Sequence, residues 1–96
     1  MTVVGRDKLV RFMERHAKAR PALNTWLAEA RDASWRRPVD IKTRYPSADI
    51  LPDDRVIFNI KGNHYRLVVR IRYRNGILYI EWVGTHAEYS KRSFGG

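Results

Sequence analysis

Apolar and basic residues alternate along the stretch from residue 65 to residue 73. Successive side chains of a β-strand point to opposite faces, so this alternation predicts a strand with one buried face. The apolar face would carry Tyr65, Leu67, Val69, Ile71 and Tyr73. The opposite face would carry the guanidinium groups of Arg66, Arg70 and Arg72, with Val68 as an apolar exception.

Two further strands flank this one in the sequence, and turn residues separate all three. In the stretch 55–60, the alternation places Val56, Phe58 and Ile60 inward and Arg55, Ile57 and Asn59 outward. The stretch 77–83 is apolar on both sides, which favours an interior strand or one covered by a helix. Asn75-Gly76 predicts a two-residue type I′ hairpin turn, and Gly62-Asn63 marks the other hairpin.

The first half of the chain shows helical spacing instead. Leu9, Phe12, Met13, His16 and Ala17 form an apolar stripe in the stretch 6–18, and Pro21 opens a second helix that buries Leu23, Trp26, Leu27 and Ala30. Residues 1–4 favour a minor strand, and residues 39–45 favour one or two helical turns. These elements predict a single α+β domain over residues 1–96, with two N-terminal helices packed on a small, twisted, mainly antiparallel sheet.

A capping-box pattern follows the last strand. The Thr85 hydroxyl can accept a hydrogen bond from the Glu88 backbone, while the Glu88 carboxylate accepts one from the Thr85 backbone. This predicts a short C-terminal helix with His86 in its first turn. Tyr89, three residues later, would project from the same helix face.

The excess of basic over acidic residues indicates which class of partner the protein binds. The 96 residues include 19 Lys and Arg against 10 Asp and Glu, a net charge of +9, and no acidic residue occurs between Arg55 and Arg74. A solvated sheet face is the plain alternative, but unrelieved like charge costs stability unless an anion binds there. Such a basic domain favours nucleic acid or another polyanion.

Other classes receive no support from the sequence. The chain has no cysteine, so it has neither a disulfide framework nor a thiolate metal site, and its histidines lack the spacing of metal ligands. No apolar run approaches the roughly 20 residues of a membrane span, and no signal-peptide pattern opens the chain. We therefore expect a cytoplasmic protein that needs no cofactor and no membrane.

Of the three histidines, His86 is the acid/base candidate. His16 lies on the first helix stripe and is interpreted as a core-edge residue. His64 lies beside a turn and is interpreted as a solvated turn residue that is close enough to the basic face to contact a phosphate. His86 follows a strand end, where it is either a general acid or base or only a residue of the capping region. RNA cleavage requires a base, an acid and a cation that stabilises the anionic transition state, and a basic sheet face with one histidine can supply them.

Two segments together resemble the HigB family of toxins, which belong to the RelE-like superfamily of type II toxin–antitoxin modules. They are F-N-x-x-G-N-x-x-R-L-V-V, from Phe58 to Val69, and T-H-x-E-Y, from Thr85 to Tyr89. The stretches 38–42 and 45–48 also look like that family, so the resemblance covers nearly the whole chain.

The resemblance implies a ribosome-dependent, metal-free mRNA endoribonuclease. It also implies a helix-turn-helix, HigA-like antitoxin that neutralises the toxin, so that operator DNA is a partner only through the antitoxin. By position, Arg66 resembles the arginine that binds the scissile phosphate, His86 the acid/base residue and Tyr89 the aromatic that orients the substrate. Family members often carry Asp where this chain has Ser90. The expected RNA or phosphate contacts are Lys61, Asn63, His64, Arg70 and Arg72.

Two other functions compete with this interpretation. A non-catalytic RNA- or ribosome-binding module would use the same basic face, but it would tolerate the loss of His86. A DNA-binding regulator is disfavoured, because neither helix has a continuous basic face and no helix-turn-helix pattern occurs.

Overall fold

The computed structural model describes residues 1–92. In chain order, the elements are β1 (Thr2–Val4), α1 (Arg6–Arg15), a 3₁₀ turn (Ala17–Ala19), α2 (Arg20–Asp32), α3 (Pro38–Arg44), β2 (Asp49–Ile50), β3 (Arg55–Ile60), β4 (Tyr65–Arg72), β5 (Ile77–Thr85) and α4 (His86–Ser90). The five strands form one sheet in the order β1-β5-β4-β3-β2. Only β1 pairs in parallel, with β5, and the other pairs are antiparallel. The predicted α+β class is confirmed.

The helices cover one face of this sheet. Their buried residues pack against the inward side chains of β3, β4 and β5 in one core cluster; the helical members include Leu9, Phe12, Met13, Leu23, Trp26, Ala30 and Ile41. Ile41 belongs to α3, so three helices rather than two supply the core. Within residues 1–92, no helix has the length and apolar character needed to cross a membrane.

The apolar stripe predicted for the first helix is correct except at its last residue. His16 is half-buried and stacks on Phe12, with 4.4 Å between the ring centroids, which confirms its position at the core edge. Ala17 is exposed, contrary to the prediction. The reason is that α1 ends at Arg15, so the helical period does not continue to residue 17.

Both hairpins form, but neither has a two-residue loop. Ile60 pairs with Tyr65 and Arg72 pairs with Ile77, so each loop contains four residues. The predicted type I′ turn at Asn75-Gly76 is therefore wrong; only Gly76 of that pair has a positive φ, at 67°. Tyr73 packs against the core and does not pair with β5, so it belongs to the loop.

A β-bulge in β5 changes which side chains share the outer face of the sheet. Val68 pairs with Trp82 while its neighbour Val69 pairs with Ile80, so Glu81 is an extra residue in the ladder. An extra residue shifts the alternation by one position beyond it. Trp82 thus joins the face opposite the helices, although simple alternation from Ile80 places it in the core.

Candidate active site

Cross-strand pairing organises the outer face of the sheet into three rows. The Arg66 row consists of Asn59, Arg66 and Gly84; the apolar row consists of Ile57, Val68 and Trp82; and the Arg70 row consists of Arg55, Arg70 and Tyr79. Ile57 and Val68 are buried, at 2% and 0% exposure, so the outward position predicted for Ile57 is not a solvated one. The face is therefore not one continuous basic surface, because the apolar row separates two basic rows.

Arg66 lies at the end of the sheet from which α4 begins. Its Nη1 donates to the backbone oxygens of Asn63 and Tyr65, at 3.3 and 3.2 Å, and its Nη2 lies 3.5 Å from the Asn63 Oδ1. Its Cζ lies 5.8 Å from the centroid of the Tyr89 ring, which is within cation–π range. No carboxylate in residues 1–92 forms an ion pair with Arg66. Its positive charge is oriented by neutral groups and is not cancelled.

The capping box predicted for α4 is confirmed. The Thr85 backbone N–H donates to Glu88 Oε1 at 2.8 Å, and the Glu88 backbone N–H donates to Thr85 Oγ1 at 3.1 Å. The hydrogen bond from the Thr85 backbone lowers the pKa of the Glu88 carboxyl. The box fixes the point at which the chain leaves the sheet, and His86 is the next residue.

His86 is exposed and is held beside the hairpin that carries Asn63 and His64. Its backbone N–H donates to the His64 backbone oxygen at 3.0 Å. The Ser90 hydroxyl donates to the His86 backbone oxygen at 2.9 Å, so at the position where the family often has Asp, the side chain binds the helix itself. Because Tyr65 pairs with Thr85 and Arg66 with Gly84, the histidine begins its helix directly beyond the Arg66 row.

Trp82 lies beside this site, although the sequence interpretation did not single it out. Its ring centroid lies 6.3 Å from that of Tyr89, and the Arg92 Cζ lies 5.3 Å from it. A Cβ on Gly84 would fall 2.3 Å from the indole ring, so only glycine leaves room for this ring over the backbone. A glycine inside a strand pattern often marks such a close approach, and that signal was present in the sequence.

Glu81 is the second residue that the sequence interpretation missed. The Arg55 Nε donates to Glu81 Oε1 at 2.9 Å, and the Arg70 Nε lies 3.3 Å from Glu81 Oε2 as an ion pair without hydrogen-bond alignment. The Arg55 and Glu81 side chains are 27% and 30% exposed, so solvent screens this pair only in part. The like charge predicted to be unrelieved is relieved in the Arg70 row by one carboxylate from the bulge of β5.

The structure brings together some of the predicted residues and separates others. Asn63, His64, Arg66, His86 and Tyr89 lie around the junction of the β3–β4 hairpin with α4. Lys61 begins the same hairpin loop but lines a cavity against α2. Arg72 is six residues from Arg66 along β4, about 20 Å at the usual rise of a strand. Arg70 and Arg72 therefore do not join the Arg66 site, which we define as Asn63, Arg66, His86 and Tyr89.

The Arg66 site has the components for chemistry on a phosphodiester. It presents an oriented guanidinium for an anion, with an aromatic ring beside the guanidinium, and an exposed imidazole for proton transfer on the residue that begins α4. Among residues 1–92, no group of three His, Cys, Asp or Glu side chains has the arrangement of a metal site.

Comparison with known families defines the class of protein. Residues 19–92 match the family of RelE-like toxic components of toxin-antitoxin systems. The match covers most of the chain, and the chain belongs to this family, the HigB toxin family. The resemblance found in the sequence is thereby confirmed.

Curated proteins that are similar to this chain are named after the same family. The chain is 33% identical over 57 residues to the mRNA interferase toxin HigB of Escherichia coli (strain K12). The chain is also 33% identical over 57 residues to the mRNA interferase HigB of Escherichia coli O157:H7 and to that of Shigella flexneri. Each match covers 57% of this chain and 55% of the relative, so the chain spans about half the length of these curated relatives.

Proposed function

We propose that this chain is the toxin of a type II toxin–antitoxin module and that it cleaves mRNA on the ribosome. The observation that carries this proposal is the Arg66 site, where an arginine without a carboxylate partner lies next to the helix that begins with His86. The relatives named mRNA interferase support the choice of RNA as the substrate. Arg55 and Arg70, on the same face of the sheet, both form ion pairs with a carboxylate.

The proposed reaction is an attack of the 2′-hydroxyl on the adjacent phosphorus. A base removes the 2′-hydroxyl proton, the 2′-oxygen forms the new bond to phosphorus, and the bond from phosphorus to the 5′-oxygen breaks. An acid protonates the departing 5′-oxygen, which leaves a 2′,3′-cyclic phosphate and a 5′-hydroxyl. We assign one of the two proton transfers to His86, because imidazole exchanges protons near neutral pH.

Arg66 stabilises the extra negative charge that develops on the phosphoryl oxygens. The carbonyl oxygens of Asn63 and Tyr65 and the Tyr89 ring hold its guanidinium before substrate arrives, so little reorganisation is needed during the reaction. Tyr89 holds this arginine and offers a ring face on which a base can stack. Because the guanidinium supplies the charge and the imidazole supplies one of the two proton transfers, we propose that the reaction needs no metal ion or other cofactor.

The proposal includes partners and a compartment. As in other toxin–antitoxin modules, a cognate HigA-like antitoxin with a helix-turn-helix domain would neutralise the toxin, and operator DNA would be reached only through that antitoxin. The ribosome and translated mRNA place the working protein in the cytoplasm. The antitoxin is expected to cover or distort the Arg66 site, since neutralisation requires loss of cleavage.

A cleavage map tests the proposal. The purified chain is added to an mRNA in a reconstituted translation system, and the 5′ ends are read by primer extension. We expect cuts that require ribosomes, persist under chelation mild enough to keep ribosomes intact, and disappear in His86→Ala. His16→Gln is the matched control, because it removes a histidine that packs on Phe12 outside the Arg66 site.

Two results would reject this function. Cuts on free mRNA that are independent of ribosomes would contradict the proposed substrate. Ribosome binding without cuts, unchanged by His86→Ala, would instead establish a non-catalytic ribosome-binding module that uses the same basic face.

A further inference from the structure

A second group of cations lies around the loop that joins β4 to β5, away from the Arg66 site. Arg31 at the end of α2, Arg36 in the loop before α3 and Arg74 in the β4–β5 loop line one cavity of about 500 Å³. We call it the arginine cavity. Among the described residues, its lining includes no acidic side chain.

The three arginines that line this cavity are available for a ligand. The ion pairs within residues 1–92 use the arginines Arg11, Arg37, Arg44, Arg55 and Arg70, and none uses Arg31, Arg36 or Arg74. All three are exposed. Asp53 and Asp54 border a neighbouring cavity that also contains Arg74, and the Arg36 backbone N–H donates to the Asp40 Oδ2 at 3.0 Å. The acidic side chains of this region therefore border the arginine cavity without lining it.

The other polar groups of the cavity wall are also suited to an anion. Tyr73 lines the cavity, and its buried hydroxyl has no hydrogen-bond partner within residues 1–92. Burial raises the pKa of Tyr73, so this hydroxyl remains a donor at neutral pH. Ser34 and Asn75 contribute further donors. Guanidinium forks match the geometry of phosphate oxygens, so the wall is suited to a phosphate group.

We propose that the arginine cavity binds the phosphodiester backbone of folded RNA. The identity of this RNA as ribosomal RNA rests on the proposed function. The cavity lies beyond Arg72, which is about 20 Å from Arg66 along β4, so a phosphate group bound at the Arg66 site cannot also occupy the cavity. A folded RNA reaches both, and it would fix the toxin on the ribosome while the Arg66 site handles mRNA.

An acidic protein segment is the competing ligand, and the geometry favours RNA. Protein interfaces are enriched in arginine, but they also bury apolar and aromatic anchors at their centre. Here the charges line the cavity itself, and Trp35, its largest aromatic residue, is only 7% exposed and so is not available as an anchor.

A pair of charge-matched variants tests the proposal. Arg31→Glu/Arg74→Glu reverses two charges of the cavity, and Arg6→Glu/Lys18→Glu reverses two exposed charges that form no ion pair within residues 1–92 and lie outside the cavity. Affinity is measured for bacterial ribosomes and for a 16-base-pair RNA duplex over a series of salt concentrations, and for the cognate antitoxin at one salt concentration. Circular dichroism and thermal melting establish that both variants are folded.

We expect the cavity variant to bind both RNA probes at least about tenfold more weakly than the control variant. Its salt dependence should also be shallower, because each lost phosphate contact lowers the slope of log affinity against log salt by roughly one. Cleavage at saturating ribosome concentration should be unchanged, because the Arg66 site is intact in the cavity variant.

Equal affinity of the two variants for both probes would overturn the proposal. Weakened binding of the antitoxin alone, with RNA affinity equal to that of the control, would identify an acidic protein as the ligand and would also overturn it. If the wild-type chain makes no cuts but the cavity variant still loses duplex binding, the proposed function fails while the RNA-binding cavity stands.

Discussion

Arg66 and Arg70 project from the same face of β4, four residues apart, but their surroundings differ. Arg70 and its neighbour Arg55 share the Glu81 carboxylate, whereas Arg66 contacts carbonyl oxygens, an amide oxygen and the Tyr89 ring. Two arginines around one carboxylate form a structural network, while an arginine held only by neutral groups keeps its full charge for a ligand. The number of basic residues on a strand therefore does not give the charge that it offers to RNA.

The apolar row explains how this difference can exist within one sheet. Val68 is fully buried, and Ile57 and Trp82 are its cross-strand neighbours. This row separates the Glu81 carboxylate from Arg66, so the carboxylate neutralises only one basic row. The comparison leads to four predictions, from the largest effect to the smallest, and to one direct test of the two arginines themselves.

Gly84→Val should damage the Arg66 row most. The new side chain would occupy the position of the Trp82 ring, and displacement of the ring would move Tyr89 and Arg66 with it. We expect cleavage to fall by about 100-fold, the cost of misplacing catalytic groups by roughly 1 Å, and the free energy of unfolding to fall by about 1–3 kcal/mol.

Gly76→Ala is the control for that substitution. Gly76 also has a backbone conformation that disfavours side chains, but it lies at the Arg72 end of the sheet with open space around it. It should lose stability and keep the cleavage rate at saturating ribosomes. Equal losses of cleavage in the two variants would show that stability, and not the Arg66 row, controls activity.

The capping box should make the start of α4 sensitive to acid. The pKa of Glu88 is lowered in the folded state, so its stabilising effect is present above the unfolded pKa and is lost as the pH falls through the folded pKa. Glu88→Gln keeps an acceptor for the Thr85 backbone N–H and removes only the negative charge at the helix start, so it should cost about 0.3–1 kcal/mol near neutral pH. Urea unfolding of both proteins should show this difference shrinking below pH 4.5, the ordinary pKa of the carboxyl. A difference that is constant with pH would contradict the carboxylate's role.

Tyr89→Leu should reduce cleavage by about two- to fivefold, the usual worth of an exposed cation–π contact. Tyr89→Phe keeps the ring beside Arg66, so it should retain most of the activity that Tyr89→Leu loses. Single-turnover cleavage measures both variants. If Tyr89→Phe is as slow as Tyr89→Leu, the hydroxyl and not the ring face is the functional group.

Glu81→Gln should make the Arg70 row more similar to the Arg66 row in the positive charge that it offers to RNA. Without the carboxylate, Arg55 and Arg70 become available to RNA, and we expect roughly twofold tighter ribosome binding and a loss of up to about 1 kcal/mol in stability. The salt dependence of binding should steepen. Unchanged affinity and slope would mean that RNA does not reach the Arg70 row.

Local patterns in the sequence predicted much of this arrangement. The capping box depends on two hydrogen bonds between residues three apart, so Thr85 and Glu88 reveal it without any tertiary information. The alternation in β4 likewise predicted its buried face correctly.

Features that depend on distant parts of the chain were not predictable in this way. The Glu81 pairing requires a bulge in β5, a matched register with β4 and the approach of Arg55 from β3. Lys61 also has a positive φ, at 53°, and a lysine in the sequence does not predict this backbone conformation. Sequence reasoning therefore named residues that the structure brings together around Arg66 but overestimated the extent of the basic face.

The most direct test compares Arg66→Ala with Arg70→Ala in single-turnover cleavage at saturating ribosomes. We predict that Arg66→Ala loses about 100- to 1000-fold in rate, as expected when an oriented cation is removed from an anionic transition state. Arg70→Ala should lose less than about threefold, because Glu81 already compensates this charge. Equal losses in the two variants, or a larger loss in Arg70→Ala, would contradict the distinction between the two rows.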